Sequence, residues 1–275
     1  MRDLQRPGRS PVAAPTAMAS TSHPLSSQTA ISILQTGGNA LDAAIAAAAV
    51  QAVVEPGSTS IGGDCFCLYS PAGAGRPIAF NGSGRAPLGL SSDWLLAHGI
   101  SEITQQSPHS VTIPGAVDAW VQLNNDYGRL SLGDILAPAI TYARDGYPIT
   151  QRVANDFVAG CDVLDSDGAA VFLEQGRPPA MGKRHSQPAL ARTMEHIASN
   201  GRDGFYKGPV ADDILAKLRA VGGLHTEDDF TAAVGEYVTP IKTAFRGYDI
   251  WECPPNGQGM IALQLLNIMS GIDLF

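Results

Sequence analysis

The chain has 275 residues, 44% of them hydrophobic and 16% charged, with a formal net charge of −8 at pH 7. That is enough apolar material for one large domain or two small ones, and it argues against a disordered chain. The acidic balance argues against a general nucleic-acid binder, which carries a basic face, and says little about the substrate.

Residues 1–22 are polar and interrupted by Pro7, Pro11 and Pro15. They read as a lead-in to the body of the chain, residues 23–275. The lead-in lacks the continuous apolar run of roughly 7–15 residues that a secretory signal needs. Leu25 to Thr36 reads as a helix with Leu25, Ala30, Ile33 and Leu34 near one face. Gly37-Gly38 ends it, because glycine takes the left-handed C′ conformation at no steric cost. Asn39 then caps the next helix, with Asp42 in its first turn. That helix, through Val54, is almost pure alanine and valine. Its small side chains allow close approach to neighbours, which places it inside the fold, and it is far short of the ~20 residues needed to span a bilayer. After Pro56 comes a loop of glycine and small hydroxyl residues ending in Gly62-Gly63-Asp64. Its bare backbone lets another segment or a ligand come very close.

Asp64 to Ser70, the turn at residues 71–75, and Pro77 to Asn81 read as a β-hairpin. Cys65 and Cys67 then face one side of a strand and are poorly placed to bridge each other. Without a second Cys/His pair they make no zinc signature, and the four cysteines read as reduced core residues. A short helix follows at 91–99, and Val111 to Ile113 reads as a brief strand ended by Pro114-Gly115. Ala116 to Asp126 and Leu132 to Asp145 are helices joined at Tyr127-Gly128-Arg129. Residues 160–187 read as loop-rich. Helices resume at 188–199 and 209–221, and Thr226 caps a short one. Tyr237 to Ala244 and Tyr248 to Glu252 read as paired strands around Arg246-Gly247, and a last helix starts at Gly259. The mixture is α/β, with few and scattered strands.

The ordered set of motifs is more specific than any of its members. Gly37-Gly38-Asn39-Ala40-Leu41-Asp42-Ala43-Ala44 is followed by Asn81-Gly82-Ser83-Gly84-Arg85-Ala86-Pro87, then Ser110-Val111-Thr112-Ile113-Pro114-Gly115-Ala116-Val117. Tyr127-Gly128-Arg129-Leu130, Ala137-Pro138-Ala139-Ile140, Gly204-Phe205-Tyr206-Lys207-Gly208 and Pro254-Pro255-Asn256-Gly257-Gln258-Gly259 complete it. In this order, from about residue 12 onward, the chain resembles the gamma-glutamyltranspeptidase family of N-terminal-nucleophile (Ntn) hydrolases. The resemblance implies an αββα four-layer sandwich, incomplete within this chain. It also implies self-cleavage that frees an N-terminal threonine, whose own amine serves as base for its hydroxyl. No cofactor is implied. The junction at which such a threonine is exposed lies well beyond the Pro-Pro-Asn-Gly-Gln-Gly motif and does not occur here. The chain is therefore expected to be the front part of a large subunit with no catalytic residue of its own, its partner a small subunit cut from the same precursor. The apolar residues Ile272, Leu274 and Phe275 at the end support truncation, since natural termini are usually polar.

What remains within the chain is the region that would hold the substrate's carboxylate. Family transpeptidases carry Arg-Glu-x-Ala-Pro after the hairpin, and the arginine binds the glutamyl α-carboxylate. Aligned on Ala86-Pro87, that arginine position is Ser83 and the glutamate position is Gly84. Arg85, two places on, faces the same side of an extended strand as Ser83. It either clamps a carboxylate through a bidentate pair or ties the loop to backbone carbonyls or to Asp64. Asn81 to Gly84 either form an anion nest or a plain glycine-rich turn. Asn81, Ser83 and Arg85 are the candidate substrate-binding residues. Asp64 reads chiefly as a hydrogen-bond partner of the Gly62-Gly63 turn. Lone His23 and His109 read as loop or core residues. The amides at residues 256–259 open a helix, where they cap or bind an anion. No P-loop, glycosidase carboxylate pair or metal-ligand cluster stands out.

The motif variants resemble a largely cytoplasmic subgroup that includes oxamate amidohydrolases and cephalosporin-acylase-like proteins. The expected activity is hydrolysis of a small carboxylate-bearing amide in the cytoplasm, with neither nucleic acid nor membrane as partner. A γ-glutamyl hydrolase or transferase, and a non-catalytic binding protein on the same scaffold, are the alternatives.

Overall fold

The computed structural model describes residues 12–272. Most of the lead-in, and Leu274 and Phe275 at the other end, lie outside the described residues. Helix α1 (Pro24–Gln35) starts at a proline, which loses no hydrogen bond there. Its N-cap is His23, whose Nδ1 accepts from the Leu25 amide at 3.2 Å. Helix α2 (Ala40–Val54) opens with a full capping box: Asn39 Oδ1 accepts from the Asp42 amide, and Asp42 Oδ2 accepts from the Asn39 amide. The expected interior position is observed, with eleven of its fifteen residues buried. Asp42 also accepts from the Arg129 amide at 3.0 Å, so two motifs remote in sequence meet at one carboxylate.

Strands β1 (Cys65–Tyr69) and β2 (Ile78–Gly82) form the expected antiparallel hairpin, Cys65 opposite Gly82 and Tyr69 opposite Ile78. Helix α3 (Ser92–Ala97) follows, and then α4 (Ala116–Tyr127) and α5 (Leu132–Asp145). Residues 111–113 form no strand: the Ile113 amide donates to Arg85 O at 2.7 Å, a rung that no neighbouring pair repeats. A two-residue strand β3 (Tyr147–Pro148) leads to helix α6 (Gln151–Gly160), which the sequence reading passed over. The loop-rich 160–187 span also holds helix α7 (Ser166–Phe172) and strand β4 (Arg184–His185), which pairs with β3. Asp165 caps α7, and Lys217 reaches across to Asp165 and Asp167.

Helices α8 (Pro188–Asn200), α9 (Asp203–Tyr206), α10 (Pro209–Ala220) and α11 (Glu227–Ala232) come next, α11 with the expected Thr226 cap. Tyr237 to Ala244 is not one strand. β5 (Glu236–Val238) adds to β2 and gives the sheet order β1-β2-β5. After Thr239-Pro240 the chain starts a separate hairpin, β6 (Ile241–Phe245) with β7 (Tyr248–Glu252). Pro240 has no N–H with which to continue a ladder. Helix α12 (Gly259–Ser270) packs on that hairpin. The core lies between α2, α4, α5, α8 and the inner face of the three-stranded sheet.

Candidate functional site

Asn81, Ser83 and Arg85 line one cavity of about 230 Å³, together with Gly84, Gly115, Glu236 and Asn256. The floor is made of main chain. Gly84 has φ +76°, and a Cβ there would lie 1.9 Å from Ile113 O. A Cβ on Gly115 would lie 2.2 Å from Gly82 O. Only glycine allows the Asn-Gly-Ser-Gly-Arg and Ile-Pro-Gly-Ala segments to touch backbone to backbone. Gly63 O accepts from the Gly115 and Ala116 amides at 2.9 and 3.1 Å, so the loop before β1 covers the start of α4.

The uncharged side chains form a closed network. Ser83 N donates to Asn81 Oδ1 (3.1 Å), Asn81 Nδ2 to Asn256 Oδ1 (3.1 Å), and Asn256 Nδ2 to Ser83 Oγ (2.6 Å). The Ser83 amide is thus already used within a turn, which favours the plain-turn reading of residues 81–84 over an anion nest. Asn256, expected as part of a helix start, instead reaches back to the hairpin. Gln258 stands at the N-cap of α12 without a side-chain cap bond.

Arg85 is exposed, and its Nη2 lies 3.6 Å from Glu236 Oε1. Its partner is not Asp64, which is exposed and does not line the cavity. Glu236 was missed in the sequence. It sits opposite Asn81 across the β2–β5 pair, 155 residues further along the chain, and no local motif marks it.

The wall carrying Glu236 is held from behind by buried charge. Asp118, 2% exposed, accepts from Arg202 Nε at 2.7 Å, the Gly235 amide at 2.7 Å and Gln122 Nε2 at 2.6 Å. Arg202 also donates to the carbonyls of Phe230, Thr231 and Ala233. Tyr206 donates its hydroxyl to Pro114 O at 2.6 Å, and burial pushes that phenol's pKa up. Burial likewise raises the thiols on β1, Cys65 to about 12 and Cys67 to about 11, so both stay protonated core groups.

Neither tempting histidine lies in the cavity. His23 caps α1, its pKa lowered by burial against an opposing pull from Glu55. His109 meets Trp94 edge-on, ring centres 5.3 Å apart. Among the described residues no group of three or more His, Cys, Asp or Glu is placed to hold a metal ion, and no helix is long and apolar enough to cross a membrane.

The family model for gamma-glutamyltranspeptidase matches residues 26–275. The chain belongs to the gamma-glutamyltranspeptidase family. It is 38% identical to the glutathione hydrolase-like YwrD proenzyme of Bacillus subtilis, over 93% of this chain and 49% of that protein. It is 36% identical to the oxamate amidohydrolase proenzyme of Klebsiella pneumoniae, over 94% of this chain and 50% of that one. The cephalosporin acylase structure from Bacillus halodurans superposes with a TM-score of 0.87 at 37% identity, covering 99% of this chain and 53% of that one. The mixed helix-and-strand fold is thus that of the family's Ntn hydrolases, and the chain spans about half the length of the curated relatives it matches.

Proposed function

We propose that residues 23–275 are the front portion of the large subunit of a self-cleaving amidohydrolase that acts on a small amide bearing a carboxylate, such as oxamate. The observation that carries this reading is the makeup of the cavity: one guanidinium, Arg85, held among the described residues only by an exposed 3.6 Å pair to Glu236, beside the uncharged polar side chains of Ser83, Asn81 and Asn256. Arg85 offers a planar fork of N–H donors that matches a carboxylate. Ser83 and the asparagines offer neutral hydrogen bonds to the rest of a compact polar acyl group. On this reading the nucleophilic threonine and the small subunit lie in the half of the relatives' length that this chain does not span. In the proposed reaction the threonine hydroxyl attacks the amide carbon, the amine leaves with a proton, and water releases the acyl group. For oxamate the balance is oxamate plus water giving oxalate and ammonium.

Ser83 at the glutamyl-arginine position is the reason to place short amide acids ahead of γ-glutamyl compounds. The similarity to a protein named glutathione hydrolase-like keeps the γ-glutamyl reading as the comparison arm. The test is to express the whole gene product, follow its cleavage on a denaturing gel, and compare kcat/KM for oxamate, a glutaryl anilide and a γ-glutamyl anilide. A higher value for the γ-glutamyl anilide contradicts the proposal. Residues 1–275 alone are expected to turn over none of the three, and hydrolysis above a heat-treated control by that fragment would place a nucleophile inside it.

A further inference from the structure

We infer that Glu236 is a specificity-determining residue: an internal carboxylate that occupies Arg85 until a substrate carboxylate replaces it. The inference rests on the proposal that Arg85 receives the substrate. Glu236 and Arg85 line the same cavity, and Glu236 Oε1 stands 3.6 Å from Arg85 Nη2. Glu236 is the one acidic side chain among the residues that line it. An incoming carboxylate thus meets both its cation and a like charge bound to that cation.

The carboxylate cannot withdraw by a shift of its own backbone. Glu236 is fixed in register opposite Asn81 at the β2–β5 pairing. The preceding residue, Gly235, has its amide bonded to buried Asp118, and a Cβ there would come within 2.6 Å of the Phe80 ring. Arg202 holds both Asp118 and the carbonyls of residues 230, 231 and 233. The side chain, by contrast, is 59% exposed and free to rotate out when displaced. This combination of a rigid base and a mobile carboxylate suits a competitor. It raises KM for anionic substrates, leaves neutral ones unaffected, and acts through Arg85 rather than on the reacting amide.

The experiment uses the complete, processed protein, with the carboxylate amide it turns over best and the neutral carboxamide of that same acid; for oxamate the neutral partner is oxamide. Glu236→Gln is expected to lower KM for the anion by roughly 1.5- to 5-fold, the range of an exposed ion pair. It should leave kcat for the anion, and both constants for the carboxamide, unchanged. The difference should shrink between about 0.01 M and 1 M salt, as the Debye length falls from ~30 Å to ~3 Å. Glu236→Asp, one methylene shorter, should fall between. An unchanged KM for the anion, or an equal fall for the carboxamide, overturns the inference. Arg85→Ala, assayed alongside, separates the two levels. If it lowers kcat/KM while Glu236→Gln does nothing, the Arg85 reading stands and the competitor does not. If Arg85→Ala has no effect, both fall.

Discussion

Arg85→Ala is the substitution that most sharply divides a binding role from a structural one. The Arg85 main chain is held by its carbonyl, which accepts from Ile113 N at 2.7 Å whatever the side chain. The side chain is 70% exposed, and its ionic contact is Glu236 at 3.6 Å. An exposed pair of this kind contributes about 0–1 kcal/mol. For a chain of this size that corresponds to a melting shift of at most about 2–4 °C. Loss of a charge-assisted, bidentate bond to a substrate carboxylate is larger, on the order of 1.5–3 kcal/mol. At about 1.4 kcal/mol per tenfold, kcat/KM should fall roughly 10- to 150-fold. Arg85→Lys should recover only part, since an ammonium has no planar fork. The assay is kcat/KM on fully self-cleaved Arg85→Ala, paired with its thermal midpoint. Unchanged kcat/KM would refute the clamp, and a midpoint lowered by far more than 4 °C would show that the side chain carries structure that its exposure and single weak pair do not account for.

Asp118→Ala leaves Arg202 without its carboxylate and the Gly235 amide without its acceptor; breaking a buried pair in this way costs about 3–5 kcal/mol, so the denaturant midpoint should drop clearly, and a drop under about 1 kcal/mol would mean that water replaces the carboxylate. Gly115→Ala sets a Cβ 2.2 Å from Gly82 O, with backbone on both sides; the expected result is little folded protein, or a midpoint many degrees lower, read by circular dichroism. Buried His23, His185 and His225 all have pKa values lowered from 6.5, with desolvation as the first cause of each. The unfolded chain then binds protons that the folded chain does not, so stability should be full above about pH 6.5 and fall as pH drops below it, by up to ~1.4 kcal/mol per pH unit for each histidine. His185 sits among Tyr147, Phe157 and Phe172, so His185→Phe should make the stability–pH slope between about pH 6.5 and 5 shallower; an unaltered slope there would remove His185 from the account.

The features legible in the sequence are those whose causes lie within a few residues. The Asn39 cap, the Thr226 cap and the hairpin of β1 with β2 each rest on local chemistry, and each is found, the first as a full capping box with Asp42. The α7 segment opens with Ser166-Asp167-Gly168, a poor helix former by propensity, and it is stabilised from outside by Lys217 on α10. The break at Pro240 carried a local signal that the alternating pattern on either side obscured. At the site, Asn81, Ser83 and Arg85 followed from one contiguous motif. Asn256 belonged to a recognised motif, but its reach of 175 residues back to Asn81 did not show in it. Glu236 joins the cavity only because β5 pairs with β2, and long-range strand register is not encoded in any short window.

A cavity floored by main chain has a consequence for how its selectivity can change. The carbonyls and amides around Gly82, Gly84 and Gly115 present the same pattern whatever side chains surround them, and the packing there excludes even a methyl group. Any side chain at these three glycines would have to displace a neighbouring group. Under the proposed function, new preferences are expected on the rim, where Ser83, Arg85, Glu236 and Asn256 line the opening from three separate stretches of backbone. If the proposed function holds, a library confined to those four codons should shift substrate preference while leaving the glycine contacts beneath untouched.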